Sequence, residues 1–319
     1  MNNKSLNTGL EECSIAGYPY YVIEEFPSNE YVISQVVSSV ICAVLTIPVI
    51  LLNGITVLTI LKSKILGSKI CHFPVLIQSM ADLTVGFLTL PLFTFLHLSE
   101  VYGGVNCKLS FALSTIAFIP WGLSLASLCA LTFERYMGVL HPIAHRIYLR
   151  KKTFVMYTVG VILVTFVIVP LAGVSVIFYY IFCGAYAIIP FFLHTFCYAR
   201  ILCSTRKRLR HPRYSTSNST SSDQSEQKPQ TGRTARRYSL REVKLTKSCA
   251  LVVGTFYICC IPGEFLNIYY LEKSLIIYRV VISWYVATLG VNTILNSIIF
   301  FWTRPILRKE AFKVLKSIC

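Results

Sequence analysis

The sequence predicts an all-α integral membrane protein with seven membrane-spanning helices and a short amphipathic C-terminal helix. Two observations support this prediction. Hydrophobic residues make up 55% of the 319-residue chain and charged residues only 14%, which is more apolar surface than one soluble core can bury. The chain also contains several uncharged runs of about 20 residues, the length that a helix needs to cross about 30 Å of hydrocarbon.

The predicted spans follow one another closely along the chain. They lie near residues 35–61, 71–98, 109–133, 153–175, 178–199, 248–271 and 280–303. The fourth and fifth come from one stretch of 47 residues, from Thr153 to Ala199, that contains no Asp, Glu, Lys or Arg. Because this stretch is too long for one span, it predicts two helices joined by a very short loop, and therefore seven spans rather than six.

The positions of Lys and Arg predict the orientation of the bundle. Of the 30 Lys and Arg residues, 26 lie beside the spans on one face, and positively charged loops remain in the cytosol. Residues 1–34 carry five Glu and one Lys and are expected to form an extracellular N-terminal tail at the plasma membrane. The net charge of +16 is explained by this topology and by attraction to anionic lipid, and nucleic-acid binding is a poor explanation.

The segments beside the bundle predict regulation on the cytosolic side. Residues 204–247, within the bundle region 35–303, form a long basic loop rich in Ser and Thr that is expected to be disordered in its middle. Residues 304–319 alternate basic and apolar residues with helical spacing, which predicts an amphipathic helix and tail on the inner leaflet. Candidate modification sites are Asn3 for glycosylation, Ser239 for phosphorylation and Cys319 for acylation.

Short motifs occur in order, with at least one in all but the fourth of the predicted spans. They are Asn53-Gly54, Met80-Ala81-Asp82-Leu83, Cys107, Phe133-Glu134-Arg135-Tyr136, Pro190 with Tyr198, Phe256 with Pro262, and Asn292 with Asn296. An acid beside a guanidinium at the end of a membrane helix is costly to bury, so it is kept where it is paired and functional. With these motifs, residues 35–318 resemble the rhodopsin-like (class A) G-protein-coupled receptors. The short second outer loop is similar to that of the melanocortin, cannabinoid and lysophospholipid branch.

The resemblance implies a receptor that binds an extracellular ligand and activates heterotrimeric G proteins. It implies that Glu134 holds Arg135 at rest, with Glu242 as a second acidic partner, and that release lets the sixth helix swing outward. Arrestin and kinases would act through the third cytosolic loop. The positions that the resemblance places on this activation path are Glu134, Arg135, Tyr136, Tyr198, Glu242, Phe256, Cys260, Pro262, Asn296 and Phe300.

Three positions in the sixth and seventh spans depart from the family pattern on the activation path. Cys260, Ser297 and Phe300 stand where most members have Trp, Pro and Tyr. A signalling-deficient decoy or scaffold receptor is therefore the alternative function. A transporter or channel is less favoured because the sequence shows no internal repeat, and we expect no enzyme because no residues form a catalytic constellation.

An isolated carboxylate, Asp82, lies within the second apolar span and needs a counter-ion or a proton. The resemblance implies an allosteric sodium ion held by Asp82 and Ser124, with Asn292 and Asn296 nearby. The alternative is a water-filled polar network with Asp82 protonated. We expect no other metal or cofactor.

The ligand class is only partly constrained by the sequence. Ala117 stands where amine receptors carry an aspartate, and residues 280–303 lack the lysine that binds retinal. Glu264 is the one acid that we expect in the outer half of the bundle, where it contacts a cationic or hydrogen-bonding ligand. The alternative is an internal pair of Glu264 with Arg279 or His97. The candidate ligand-binding residues are Phe118, Trp121, Tyr186, Glu264, Asn267 and Arg279.

The twelve cysteines show no zinc-ligand spacing. Only Cys13 and Cys107 are clearly on the extracellular side of the predicted bundle. Cys183, the cysteine nearest to the second outer loop, is expected within the fifth helix. Cys13 is therefore a candidate disulfide partner for Cys107.

Overall fold

The computed structural model describes residues 10–15, 18–23, 28–102, 106–171, 176–210, 230–270 and 274–317. Two strands come first along the chain. They are β1 (Leu10–Ile15) and β2 (Tyr18–Ile23). The helices follow in this order: α1 (Asn29–Lys62), α2 (Lys64–Gly67), α3 (Phe73–Thr84), α4 (Leu90–Val101), α5 (Cys107–Leu140), α6 (Pro142–Tyr148), α7 (Lys151–Leu171), α8 (Val176–Arg210), α9 (Gln230–Tyr270), α10 (Leu275–Thr303) and α11 (Pro305–Lys316).

The predicted fold class is confirmed. Within the part of the chain that the structure describes, six helical stretches are long and apolar enough to cross a membrane: those of α1, of α3 with α4, and of α5, α8, α9 and α10. Helix α7 has 21 residues and a length of about 31 Å, which also spans the hydrocarbon. These helices correspond one to one with the predicted spans and form a seven-helix bundle.

Helix α5 is central to the bundle. It contacts α3, α4, α7, α8 and α9, and the main apolar core lies along its predicted cytosolic half. Leu128 and Leu131 of α5 are buried there with Phe256 of α9 and Phe300 of α10. Helix α5 continues to Leu140 and carries the buried Glu134-Arg135 motif within this core, between Leu131 and Val139.

The second span is interrupted by a π-helical segment, Val85–Thr89, between α3 and α4. Gly86 lies in this segment, and a Cβ atom at that position would come within 2.8 Å of the side chain of Val49. The hydroxyl of Thr89 donates a hydrogen bond to the carbonyl of Ala117, on the neighbouring helix α5, at 2.7 Å. Such segments are frequent at functional sites, and this one begins three residues after Asp82.

Strands β1 and β2 form an antiparallel hairpin within the predicted outer tail, and both strands contact α5. Helix α1 begins at Asn29, where the side chain of Ser28 accepts a hydrogen bond from the backbone of Tyr31 at 3.2 Å. The N-terminal segment therefore contains regular structure that the sequence analysis did not predict.

The basic end of the bundle has longer helices than predicted. Helix α8 continues to Arg210 and α9 begins at Gln230, so both extend into the predicted third loop. Helix α11 is amphipathic, with Leu307 and Ala311 buried and Phe312 exposed. Its Glu310 accepts a hydrogen bond from Ser63 at 2.9 Å, which ties α11 to the loop after α1.

Candidate functional site

A buried ion pair lies near the predicted cytosolic end of α5. The Nε and Nη2 atoms of Arg135 donate to the two carboxylate oxygens of Glu134, and Glu134 is fully buried. The Nε2 atom of His145, on α6, lies 3.1 Å from the Oε1 atom of Glu134. Because both oxygens of the carboxylate are occupied, the fork of the guanidinium is held in one orientation.

The other predicted switch residues lie along the same end of α5, α8, α9 and α10. The ring of Tyr136 lies 5.7 Å from that of His141 and 6.3 Å from that of Phe196. Tyr198, Phe256, Cys260 and Phe300 are buried in the apolar core, whereas Pro262 is exposed within α9. The packed positions therefore connect the middle of the bundle to the Arg135 pair.

A second polar cluster surrounds Asp82 in the middle of the bundle. The hydroxyl of Ser124 donates to Oδ1 of Asp82 at 2.6 Å, and the amide of Asn296 donates to Oδ2 at 3.2 Å. The amide of Gln78 donates to the same Oδ1 at 3.0 Å. Asp82 is fully buried, so these three donors replace the water that its carboxylate would otherwise bind.

The cavity beside Asp82 fits a small cation. It has a volume of about 10 Å³, about the least that holds one water molecule, and Ser124, Asn292 and Asn296 are among its lining residues. The Oδ1 atoms of Asn292 and Asn296 are buried and accept no hydrogen bond. The lining oxygen atoms of Ser124, Asn292 and Asn296 are neutral, and the carboxylate of Asp82 is joined to the cavity through its hydrogen bond with Ser124. Oxygen ligands of this kind are the ones that a hard cation prefers.

The predicted ligand-binding acid, Glu264, lies on α9 beside Tyr285 of α10. The Tyr285 hydroxyl is in electrostatic contact with the carboxylate but forms no hydrogen bond of normal geometry. The ring of Trp121 packs edge-on against that of Tyr285, with centroids 6.2 Å apart. A Cβ atom on Gly263 would lie 2.3 Å from this ring, so a glycine allows α9 to approach Tyr285.

Arg279 is paired with a different acid from the one that we considered. Its Nη1 atom donates to Oε1 of Glu100, at the end of α4, at 2.9 Å. The Nδ1 atom of His97 lies 2.5 Å from the side-chain oxygen of Gln35. The expectation that Glu264 is the one acid in the outer half was wrong, because the end of α4 turns Glu100 inward, where it is buried.

Comparison with known families gives one match to part of the chain. Residues 52–178 match the family described as 7 transmembrane receptor (rhodopsin family). The chain is similar to rhodopsin-family receptors. The matched stretch includes Asp82, Ser124 and the Glu134-Arg135 pair. No curated protein matches the chain.

Two departures from the rhodopsin-like pattern have defined contacts in the structure. The hydroxyl of Ser297 donates to Oδ1 of Asn53 at 2.7 Å, which joins α10 to α1. Phe300 is fully buried, and the guanidinium of Arg304 lies 5.4 Å from the centre of its ring. Ser297 and Phe300 therefore both make specific contacts inside the helix bundle.

Cys107 of the receptor is in a disulfide. Eight other cysteines are free thiols: Cys42, Cys71, Cys129, Cys197, Cys203, Cys249, Cys259 and Cys260. The partner of Cys107 lies outside the described side chains. Strand β1, which contains Cys13, contacts α5, which begins at Cys107.

Several of the residues that the sequence predicts to be functional lie outside the part of the chain that the structure describes. Asn3 and Cys319 are outside the described residues, as is the segment 211–229 of the third loop. Phe118, Tyr186, Ser239, Glu242 and Asn267 lie within helices, but their side chains are outside the description.

The sequence did not predict a role for four polar or aromatic residues of the candidate site: Gln78, Glu100, His145 and Tyr285. The contact of Gln78 with Asp82 could have been predicted, because Gln78 lies four residues before Asp82 and therefore on the same face of a helix. The other three contact residues on different helices, and no local pattern in the sequence indicates those contacts.

Proposed function

We propose that the chain is a G-protein-coupled receptor of the plasma membrane, with its N terminus outside the cell. It binds an extracellular ligand and activates heterotrimeric G proteins. The observation that supports this most strongly is the buried pair of Glu134 and Arg135 at the basic end of α5. A buried charge pair that can be broken is a two-state element, which a signalling receptor needs.

In this proposal, the pair holds the resting state. Arg135 and Glu134 are both buried, so separation of the pair is unfavourable unless a new partner receives the guanidinium. The last carbonyls of a helix are such a partner, because they are unpaired and carry partial negative charge. Opening of the basic end would let a G-protein helix supply those carbonyls to Arg135.

Replacement of Glu134 tests the lock. Glu134→Gln removes the charge but keeps the shape, and we expect ligand-independent G-protein activation to rise several-fold at equal surface expression. Glu30→Gln, in the exposed first turn of α1, is the control and should leave basal activation unchanged. Equal basal activation of Glu134→Gln and the unmodified receptor would contradict the lock.

We also propose that Glu264 contacts the ligand. Its only described polar neighbour is Tyr285, whereas Arg279 and His97 have partners of their own. A cationic or hydrogen-bonding group on a ligand would therefore meet an acid that has no described ion pair. For an identified agonist, Glu264→Gln should lower potency at least about tenfold, or about 1.4 kcal/mol; an unchanged dose response would exclude the contact.

A sodium ion at Asp82 is proposed as an allosteric ligand. Asp82 and Ser124 would hold it, with the free oxygens of Asn292 and Asn296 nearby. Such an ion, when bound, balances the carboxylate charge inside the bundle. Asp82→Asn should abolish any effect of sodium on the stability of the receptor, and a persisting effect would exclude this site.

Regulation and lipid contact are proposed for the basic face. Residues 204–247 would carry the sites for kinases and arrestin, with Ser239 near the start of α9 as one candidate. The exposed side chains of Phe312 and Leu315 on α11 fit contact with the inner leaflet. A receptor lacking residues 214–232 should internalise slowly, and normal internalisation would count against the loop.

The second candidate function is a decoy or scaffold receptor. It is motivated by the sequence, because Cys260 and Phe300 stand where most rhodopsin-like receptors have Trp and Tyr on the activation path. A ligand that binds with high affinity at the cell surface without activating any G protein would favour the decoy over the signalling receptor.

A further inference from the structure

Gln78 of α3 makes the most connections in the polar cluster around Asp82. It is almost fully buried. Its amide nitrogen donates to Oδ1 of Asp82 and to the hydroxyl of Ser124, both at 3.0 Å. Its amide oxygen accepts a hydrogen bond from the hydroxyl of Ser127 at 2.7 Å. All of its polar atoms therefore have partners.

The order of these hydrogen bonds fixes the direction of the amide. The single hydroxyl proton of Ser127 is shared between the oxygen of Gln78 and the carbonyl of Ser124, each at 2.7 Å. On the other side of the amide, the carboxylate of Asp82 can only accept, so it selects the N–H groups of Gln78. The opposite side of the amide, which carries the positive N–H groups, therefore faces Asp82. A donor group at this position is the reverse of what a bound cation needs.

The same two oxygens are the predicted ligands of sodium. Oδ1 of Asp82 accepts from Ser124 and from Gln78, and the oxygen of Ser124 accepts from Gln78. A cation that approaches either oxygen must displace the amide of Gln78 or tolerate its N–H groups nearby. Displacement costs the hydrogen bond to a charged group and leaves buried donors unpaired.

We propose that Gln78 is an internal competitor for the cation at Asp82, and that Ser127 is the positioning residue that holds its amide in the competing orientation. This inference rests on the proposed sodium site. It means that the affinity for sodium is set by Gln78 in addition to the ligands, and that hydrogen bonds from neutral side chains stabilise the carboxylate at low sodium.

The test measures the thermal unfolding temperature of purified receptor during titration with NaCl, with N-methylglucamine chloride keeping ionic strength constant. No agonist is needed. Gln78→Leu removes the donors at nearly constant volume, and the sodium concentration for half of the stabilisation should fall about tenfold, the size of one hydrogen bond to a charged group. Asp82→Asn is the control and should give no response to sodium.

Ser127→Ala provides an independent second variant. It leaves Gln78 in place but frees its amide to turn its oxygen toward the cavity, so the half-saturating sodium concentration should also fall. In the double variant, Ser127→Ala should add nothing to Gln78→Leu, because Ser127 acts only through that amide. An additive effect would refute the positioning role.

Other outcomes separate this inference from the sodium site itself. A response to sodium in the unmodified receptor that Gln78→Leu leaves unchanged, or shifts to higher concentration, would overturn the competitor role while leaving the site intact. The second of these results would make the oxygen of Gln78 a ligand. A flat titration for every variant would overturn both the site and the competitor.

Discussion

The hydrogen bond between Ser297 and Asn53 should contribute measurably to the stability of the receptor. Both residues are fully buried, and the hydroxyl of Ser297 donates to Oδ1 of Asn53 at 2.7 Å. The amide of Asn53 is used separately, by the carbonyl of Val49 at 3.0 Å. Ser297→Ala therefore leaves one buried acceptor without a partner, and the cost of such an acceptor is about 1–3 kcal/mol.

A serine on the same helix provides the matched control. Ser283 is also buried in α10, but its hydroxyl donates to the carbonyl of Val280, within its own helix. Because that carbonyl lies within the helical ladder, Ser283→Ala should cost less than about 0.5 kcal/mol. The comparison separates a bond between two helices from the loss of a buried hydroxyl alone.

The assay is the free energy of unfolding, measured by titration with SDS in mixed micelles. We expect Ser297→Ala to lose about 2 kcal/mol relative to the unmodified receptor. In a double-mutant cycle with Asn53→Ala, the coupling free energy should exceed about 1 kcal/mol. Equal losses for Ser297→Ala and Ser283→Ala, or coupling near zero, would refute the claim that this bond joins α10 to α1.

Three further predictions concern the two faces of the receptor. Glu100→Gln should destabilise the protein by about 3 kcal/mol because it removes the negative charge that pairs with the guanidinium of Arg279; a loss below about 1 kcal/mol in the SDS assay would contradict this. Hydrogen bonds from Lys313 and Ser63 hold the pKa of Glu310 below its usual range. The stabilisation of α11 by the ionised carboxylate is therefore present at neutral pH and is lost as the pH falls through that lowered pKa. Glu310→Gln should therefore speed hydrogen exchange in α11 at neutral pH but not below that pKa, and equal rates at neutral pH would refute it. Peptide mapping without reduction should recover Cys13 linked to Cys107; recovery of Cys13 as a free thiol would exclude this pairing.

The transmembrane helices could be predicted from the sequence because their signal is local. Each span is a continuous apolar run, and the absence of charge between Thr153 and Ala199 was enough to place two helices there. The pairing of Glu134 with Arg135 was implied by the resemblance to the rhodopsin-like family, because adjacent residues on a helix do not ordinarily face each other. The predictions succeeded where composition and neighbouring residues decide the structure.

The features that could not be predicted depend on contacts between residues far apart in the sequence. Glu100 and Arg279 are 179 positions apart, so their pairing requires the arrangement of α4 beside α10. The π-helical segment after Asp82 depends on the fit of Gly86 against α1, and no short motif indicates it. The direction of the Gln78 amide is set by Ser127 on α5, which only the packed bundle provides.

The most direct test of the account is G-protein activation by the receptor and by Arg135→Ala, with and without pooled ligands and at equal surface expression. Arg308→Ala, an exposed arginine on α11, is the matched control. We predict activation by the receptor and by Arg308→Ala, and none by Arg135→Ala. Activation that persists at the same level in Arg135→Ala would contradict the central role of the buried pair.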